Sequence, residues 1–177
     1  MPTSAPISED DPRRAEVLDL LSEHLADMYA TSPAESVHAL DADALAGPGM
    51  AFWTWRAEDG SVLGCVALKE LDPQHGELKS MRTTAASRGR GVGTALLGHV
   101  LEVGRARGYR RISLETGSQD FFAPARSLYL RHGFVPTTPF ADYTEDPASV
   151  FLTLDLAGAP DGGAVTAPTT SGSAPSH

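Results

Sequence analysis

Apolar side chains recur every three or four positions from Pro12 to about Tyr29, at Val17, Leu21, Leu25 and Met28, a spacing that predicts an amphipathic helix. Asp11 before Pro12 reads as a helix cap followed by proline at the first helical position. Pro33 ends that helix, because the residue before a proline avoids helical geometry. A shorter helix is expected from Pro33 to Leu45, stopped by Gly47-Pro48-Gly49. The pattern then changes period. Met50 to Arg56, Ser61 to Leu71 and Glu77 to Thr83 read as three strands joined by turns at Glu58-Asp59-Gly60 and 72–76. A helix follows from Val92 to about Arg107, with Val92, Leu96, Val100 and Val103 on one face and Gly108 as its stop. Arg111 to Glu115 is a strand, Pro124 to His132 a helix ended by Gly133, and Ser149 to Leu156 a strand alternating Val150, Leu152 and Leu154.

Residues 1–11 read as a flexible leader, and 12–156 as one folded domain. Of residues 157–177, eighteen are Ala, Gly, Pro, Ser or Thr, too little apolar surface to offset ordering entropy, so a disordered tail is expected. The whole chain of 177 residues is 41% hydrophobic, which suffices for one core. It has no apolar run of about 18 residues, which argues against a membrane span. The first residues carry acid and no apolar stretch, unlike a secretory signal. A single cysteine, Cys65, admits neither an internal disulfide nor a multi-cysteine zinc site, and a reducing, cytoplasmic setting is expected. Cys65 lies in the apolar run VLGCVAL and is expected to be a small core residue.

Charge sharpens this picture. The net charge is −9, yet residues 79–133 hold ten basic and three acidic side chains. An acidic chain is a poor general nucleic-acid binder, and a basic middle within it points to one local anionic ligand. The same middle holds Arg88-Gly89-Arg90-Gly91-Val92-Gly93 between a strand and a helix. Glycines there let backbone N–H groups approach an anion that the helix N-terminus also favours. A nucleoside-triphosphatase loop would need lysine before Thr94, and a dinucleotide fingerprint would need a further glycine at 94 or 95. Neither fits.

The spacing Arg-x-x-Gly-x-Gly, met by Arg88, Gly91 and Gly93, resembles the signature of the GCN5-related N-acetyltransferase (GNAT) superfamily. So do the strand GELKSMRT before the loop, the helix SLYLRHGF after the next strand, and the order of elements over residues 12–156. The segments SPAESVHALD, LKELDP, LKSMRT and SLETGS look like a bacterial branch of small-substrate acetyltransferases. The resemblance implies an α/β (α+β) fold with a mixed, mostly antiparallel sheet of six to seven strands, about four flanking helices and a splayed strand pair. It also implies acetyl-CoA as cosubstrate, no metal, and direct attack by the amino group of a small molecule in a ternary complex. No nucleic-acid or membrane partner is expected, and the resemblance admits a homodimer.

By the same resemblance, Gly89, Arg90, Gly91, Val92, Gly93 and Thr94 would meet the coenzyme pyrophosphate with Arg88, and Met81 and Thr83 its pantetheine arm. Tyr129 is the expected general acid and Glu77 the expected base. Glu115 is the rival base and a candidate acceptor contact, and His24 and His38 are further candidates. His38, Lys79, Thr116 and Tyr143 are expected to face the acceptor, with Lys79 able to meet a carboxylate. One departure stands out. Where many relatives carry asparagine, this chain has Phe122, with Phe121 beside it. A non-catalytic acyl-CoA-binding regulator and a peptide or protein N-acetyltransferase are the alternative readings.

Overall fold

The computed structural model describes residues 7–34 and 42–156. The expected tail, residues 1–6 of the leader, His38 and much of the second helix lie outside the described residues. Seven strands form one sheet: β1 (Ile7–Glu9), β2 (Met50–Arg56), β3 (Val62–Asp72), β4 (His75–Thr83), β5 (Arg111–Gly117), β6 (Val135–Pro136) and β7 (Ser149–Asp155). The helices are α1 (Ala15–Thr31), α2 (Ala42–Leu45), α3 (Val92–Ala106) and α4 (Ala123–Arg131). The strand order is β1-β2-β3-β4-β5-β7-β6, and every neighbouring pair is antiparallel except β4 and β5. The expected mixed sheet is therefore present.

β3 explains why two layers cover this sheet. Its apolar run buries both faces: Val66 and Leu68 join the larger cluster under α3, while Cys65 and Ala67 pack with Val17, Leu20 and Leu45 from α1 and α2. Cys65 is fully buried, its thiol reaching the Ser80 carbonyl at 3.3 Å, and burial pushes its pKa up to about 12. It is the core residue the sequence suggested. No helix among the described residues is long and apolar enough to cross a membrane.

Two elements, β1 and α1, depart from the sequence reading. Residues 7–9, assigned to the leader, form β1, with Ile7 opposite Trp55 and Glu9 opposite Trp53. So short a strand carries no period; its anchor is Asp10, which accepts from Thr54 Oγ1 at 2.6 Å and from Arg56 Nη2 at 2.8 Å. α1 starts at Ala15 with Arg14 as its cap, not at Pro12, because the Asp11 carboxylate instead accepts from the Arg13 amide in a local turn. The buried side of α1 is also rotated. Leu20 is buried and Leu21 packs on the same cluster, while Leu25 is 37% exposed, so the inward side holds Val17, Leu20, Leu21, His24 and Met28, and Leu25 of the expected row Val17, Leu21, Leu25 and Met28 turns outward.

The splayed pair follows from backbone geometry. β4 and β5 pair only from His75–Arg111 through Glu77–Ser113, although β4 continues to Thr83 and β5 to Gly117. Opposite β3, the β4 register slips between Cys65–Arg82 and Ala67–Lys79, one extra residue on β4, and Ser80 sits in the left-handed region at φ 53°. A bulge bends the strand that carries it and lets its pairing lapse. Between the parted ends of β4 and β5 lies a cleft.

Candidate active site

One end of the cleft is built from backbone. Gly89 and Gly91 both adopt φ 79°, in the region that side chains with a Cβ rarely enter, and open space lies where a Cβ would stand. Gly91 caps α3 with no side-chain hydrogen bond, and the first amide to bond back into the helix is that of Ala95. The amides of the first helical turn, at Val92, Gly93 and Thr94, are thus left to a ligand, where the helix dipole favours an anion. Buried Ser87 holds the loop's entry, bonding Thr84 Oγ1 at 2.6 Å and accepting the Arg90 amide through its carbonyl. These residues border a groove of about 690 Å³ that also touches Met81, Thr83, Arg88 and Leu128. Arg90 is exposed and does not line the groove.

The other end is built from side chains. A narrower cavity of about 90 Å³ is lined by Glu77, Lys79, Glu115, Thr116, Tyr129 and Tyr143. His24, Met81 and Phe122 line both spaces, so the groove runs into the cavity. The Phe122 ring reaches this junction by lying on Gly117, where any Cβ would collide with it.

Glu77, expected at the start of its strand, is the third residue of β4 and only 2% exposed. Its Oε2 accepts from the Tyr143 hydroxyl at 2.6 Å and from Lys79 Nζ at 3.1 Å, and Lys79 Nζ also donates to the Tyr143 oxygen at 2.9 Å. Two of the three N–H groups of the Lys79 ammonium are thus engaged within the site. The Tyr143 ring is wedged between Phe140, at 5.1 Å, and Phe151, at 5.5 Å. Its burial and the Glu77 charge raise the phenol pKa, so it remains a donor.

Glu115 has a different environment. Burial raises its pKa to about 7, against the opposing pull of Lys79. Tyr129, 5% exposed and packed on Phe134, has its hydroxyl pKa raised by burial, which keeps it protonated at neutral pH. Burial, and secondarily Arg82, lowers the His24 pKa to about 4, and its Nδ1 is buried without a hydrogen-bond partner. His24 is therefore a neutral imidazole at pH 7.

The structure thus gathers Glu77, Lys79, Glu115, Thr116, Tyr129 and Tyr143 around one cavity, and Met81, Thr83, Arg88, Gly89 and Gly91 to Thr94 along one groove. The sequence reading missed Arg82, which enters the groove and pairs with Asp27 and, at 3.3 Å, with Glu23 of α1. It also missed Met28, on the cavity wall. The available signal was Asp27 beside His24 and Met28 on one helix side, a polar position that a purely apolar criterion discards. Among the described residues, no group of three or more His, Cys, Asp or Glu side chains is placed to share a metal ion.

Residues 17–134 match the model of the acetyltransferase (GNAT) family. The chain is 50% identical over 151 residues to the uncharacterized N-acetyltransferase YsnE of Bacillus subtilis, covering 85% of this chain and 99% of that protein. It is 35% identical over 154 residues to a protein of Azospirillum brasilense named IAA acetyltransferase, covering 85% of this chain and 97% of the relative. A proposed acyl-CoA N-acyltransferase from Klebsiella pneumoniae superposes with a TM-score of 0.70 at 27% identity, covering 85% of this chain and 96% of that one. With this match, this strand order and this parted pair, the chain belongs to the GNAT family and is an acetyltransferase.

Proposed function

We propose that this enzyme moves the acetyl group of acetyl-CoA to the amino group of a small molecule, by direct attack while both are bound. The observation that carries the reading is the continuity of the groove with the cavity through His24, Met81 and Phe122. One space fits a long anionic cosubstrate; the other fits a compact acceptor. Gly89 and the first-turn amides from Gly91 to Thr94 grip the pyrophosphate, helped by Arg88, with Arg90 at the edge. Met81 and Thr83, on the unpaired stretch of β4, offer backbone groups to the pantetheine arm. Acetyl-CoA, once bound, supplies the activated acyl carbon.

The remaining chemistry is proton handling. An alkylammonium has a pKa of about 10.4, so freeing its lone pair at pH 7 costs about 4–5 kcal/mol. Glu77 accepts that proton, its carboxylate oriented by Tyr143 and Lys79. Tyr129, kept protonated by burial, gives a proton to the departing sulfur. Thr116 and Tyr143 line the acceptor's side of the cavity. A second reading makes Glu115 the base, because a carboxyl raised to about 7 is matched to proton transfer at neutral pH. The lone buried thiol of Cys65 suits a reducing compartment, and a cytoplasmic location is part of this proposal.

The test is thiol release from acetyl-CoA across a panel of amines and peptides, with products read by mass. Release with a mass gain of one acetyl group on a small amine is the expected result. Saturable coenzyme binding without release, or acetylation of peptides alone, would overturn the proposal.

A further inference from the structure

We infer that the acceptor taken by this cavity is a compact cationic amine that carries no carboxylate, an inference that rests on the amine-acetylating reading above. The reasoning begins with the ionisable groups that face the cavity, element by element. From β4 come Glu77 and Lys79, and from β5 Glu115. The loop between β6 and β7 contributes Tyr143, and Asp146 whose charge acts on Glu115. That loop also holds Asp142 and Glu145, and no basic residue occurs from Phe134 to Leu156. α1 contributes His24, neutral at pH 7, and α4 contributes the uncharged Tyr129.

The cations are outnumbered. Lys79 is 3.1 Å from Glu77 and 2.9 Å from the Tyr143 oxygen, and the same ammonium is the positive charge acting on Glu115. One ammonium therefore faces the Glu77 carboxylate and a Glu115 that is half ionised at pH 7. Arg82, in the adjoining groove, is held by Asp27 and Glu23. An incoming carboxylate would meet Glu77, Glu115 and the field of Asp146, which together outweigh the one Lys79 ammonium, while Arg82, its Nε unpartnered, is already balanced by Asp27 and Glu23. Like charges so placed are rejected at a cost of several kcal/mol.

A second observation points the same way. His24 Nδ1 is buried, lacks a partner, and belongs to the side chain that borders the cavity. In the tautomer that carries its proton on Nε2, this nitrogen takes a hydrogen bond from an N–H donor, as the Glu77 carboxylate does. An ammonium brings three such donors and a positive charge; a carboxylate brings neither. The narrowness of the cavity, about 90 Å³, sets the acceptor's small size.

The experiment uses the full chain with acetyl-CoA and two matched sets of acceptors: ethylamine, alanine and alaninol; isobutylamine, valine and valinol. Within a set the amine gains either a carboxylate or a neutral hydroxymethyl group of similar bulk at one carbon. The amine and the amino alcohol should exceed the amino acid in kcat/KM by about tenfold or more. An amino acid that matches or exceeds its amine would overturn the inference. So would an amino alcohol as poor as the acid, since bulk rather than charge would then be the barrier. If no set releases thiol, calorimetry on the protein saturated with coenzyme A reads the same comparison. Tighter binding of the amine supports the charge selection while the transfer reading falls; equal or tighter binding of the acid, or none by any compound, overturns it.

Discussion

One wall of the groove, from Met81 to Thr94, is a single continuous stretch of chain that faces α4, and what it offers is mostly backbone: an unpaired strand, two glycines in the left-handed region and the bare end of α3. The cavity beyond it is assembled from α1, β4, β5, α4 and the loop before β7, and what it offers is carboxylates, phenols, an ammonium and an imidazole. The two halves should therefore fail differently. Side-chain changes that leave the backbone alone should cripple chemistry without loosening the coenzyme, and changes of backbone conformation should do the reverse.

The largest effects belong to the cavity. Tyr129→Phe and Glu77→Gln should each lower kcat by about 10²–10⁴-fold, the range for loss of a positioned acid or base. Coenzyme affinity, read by calorimetry, should stay within about twofold of the parent, because neither side chain lines the groove. A Tyr129→Phe enzyme with unchanged turnover across pH would remove the tyrosine from its role. Gly91→Val sharpens the contrast from the other side. A β-branched residue at φ 79° is strained by about 1–2 kcal/mol and would pull the loop out of shape. Coenzyme affinity should fall about tenfold or more, with kcat at saturation largely kept.

This division also decides what could be read from the chain. The groove was legible because its determinants are contiguous: Arg88, Gly91 and Gly93 keep fixed spacing, and glycine is required where φ is positive. Elements with strong periods, such as α3 and β3, emerged at nearly their observed bounds. The cavity was only half legible. Single residues such as Tyr129 and Glu77 came from resemblance, but the Glu77–Lys79–Tyr143 triangle joins positions 66 residues apart and has no local signature. α1 misled for a physical reason. Its inward row holds His24 and pairs Asp27 with Arg82, and a helix that lines a cleft spends polar residues on its buried side. Likewise β1 and the Ser80 bulge depend on partners across the sheet rather than on their own sequence.

Glu115 gives a middle-sized test that bears on pH. Its carboxyl has a raised pKa, about 7 in the fold against 4.5 ordinarily, so the folded protein holds this proton more tightly than the unfolded chain does. The contribution of this group to stability is full below about pH 4.5 and is lost as pH rises to about 7, an amount on the order of 3 kcal/mol. In Glu115→Gln that decline should be missing from denaturant midpoints followed over the same window. If Glu115 is also the base, the acidic limb of kcat/KM near pH 7 should vanish with it. If Glu77 alone serves, Glu115→Gln should leave the pH profile of kcat/KM unchanged.

The smallest effect tests how the cavity's polar triangle shares its work. Tyr143→Phe keeps the ring between Phe140 and Phe151 and removes only the hydroxyl. Glu77 then loses its 2.6 Å donor but retains the 3.1 Å bond from Lys79, so the carboxylate stays in place. Two charge-assisted hydrogen bonds are lost, the one to Glu77 and the one from Lys79, at a site still held by an ion pair, a change worth about 1–2 kcal/mol. A three- to tenfold fall in kcat/KM is the expected result (about 1 kcal/mol at the barrier), with coenzyme affinity unmoved. A loss as deep as that of Glu77→Gln would make the phenol itself the group that moves the proton, and Lys79 would then be the residue that tunes it.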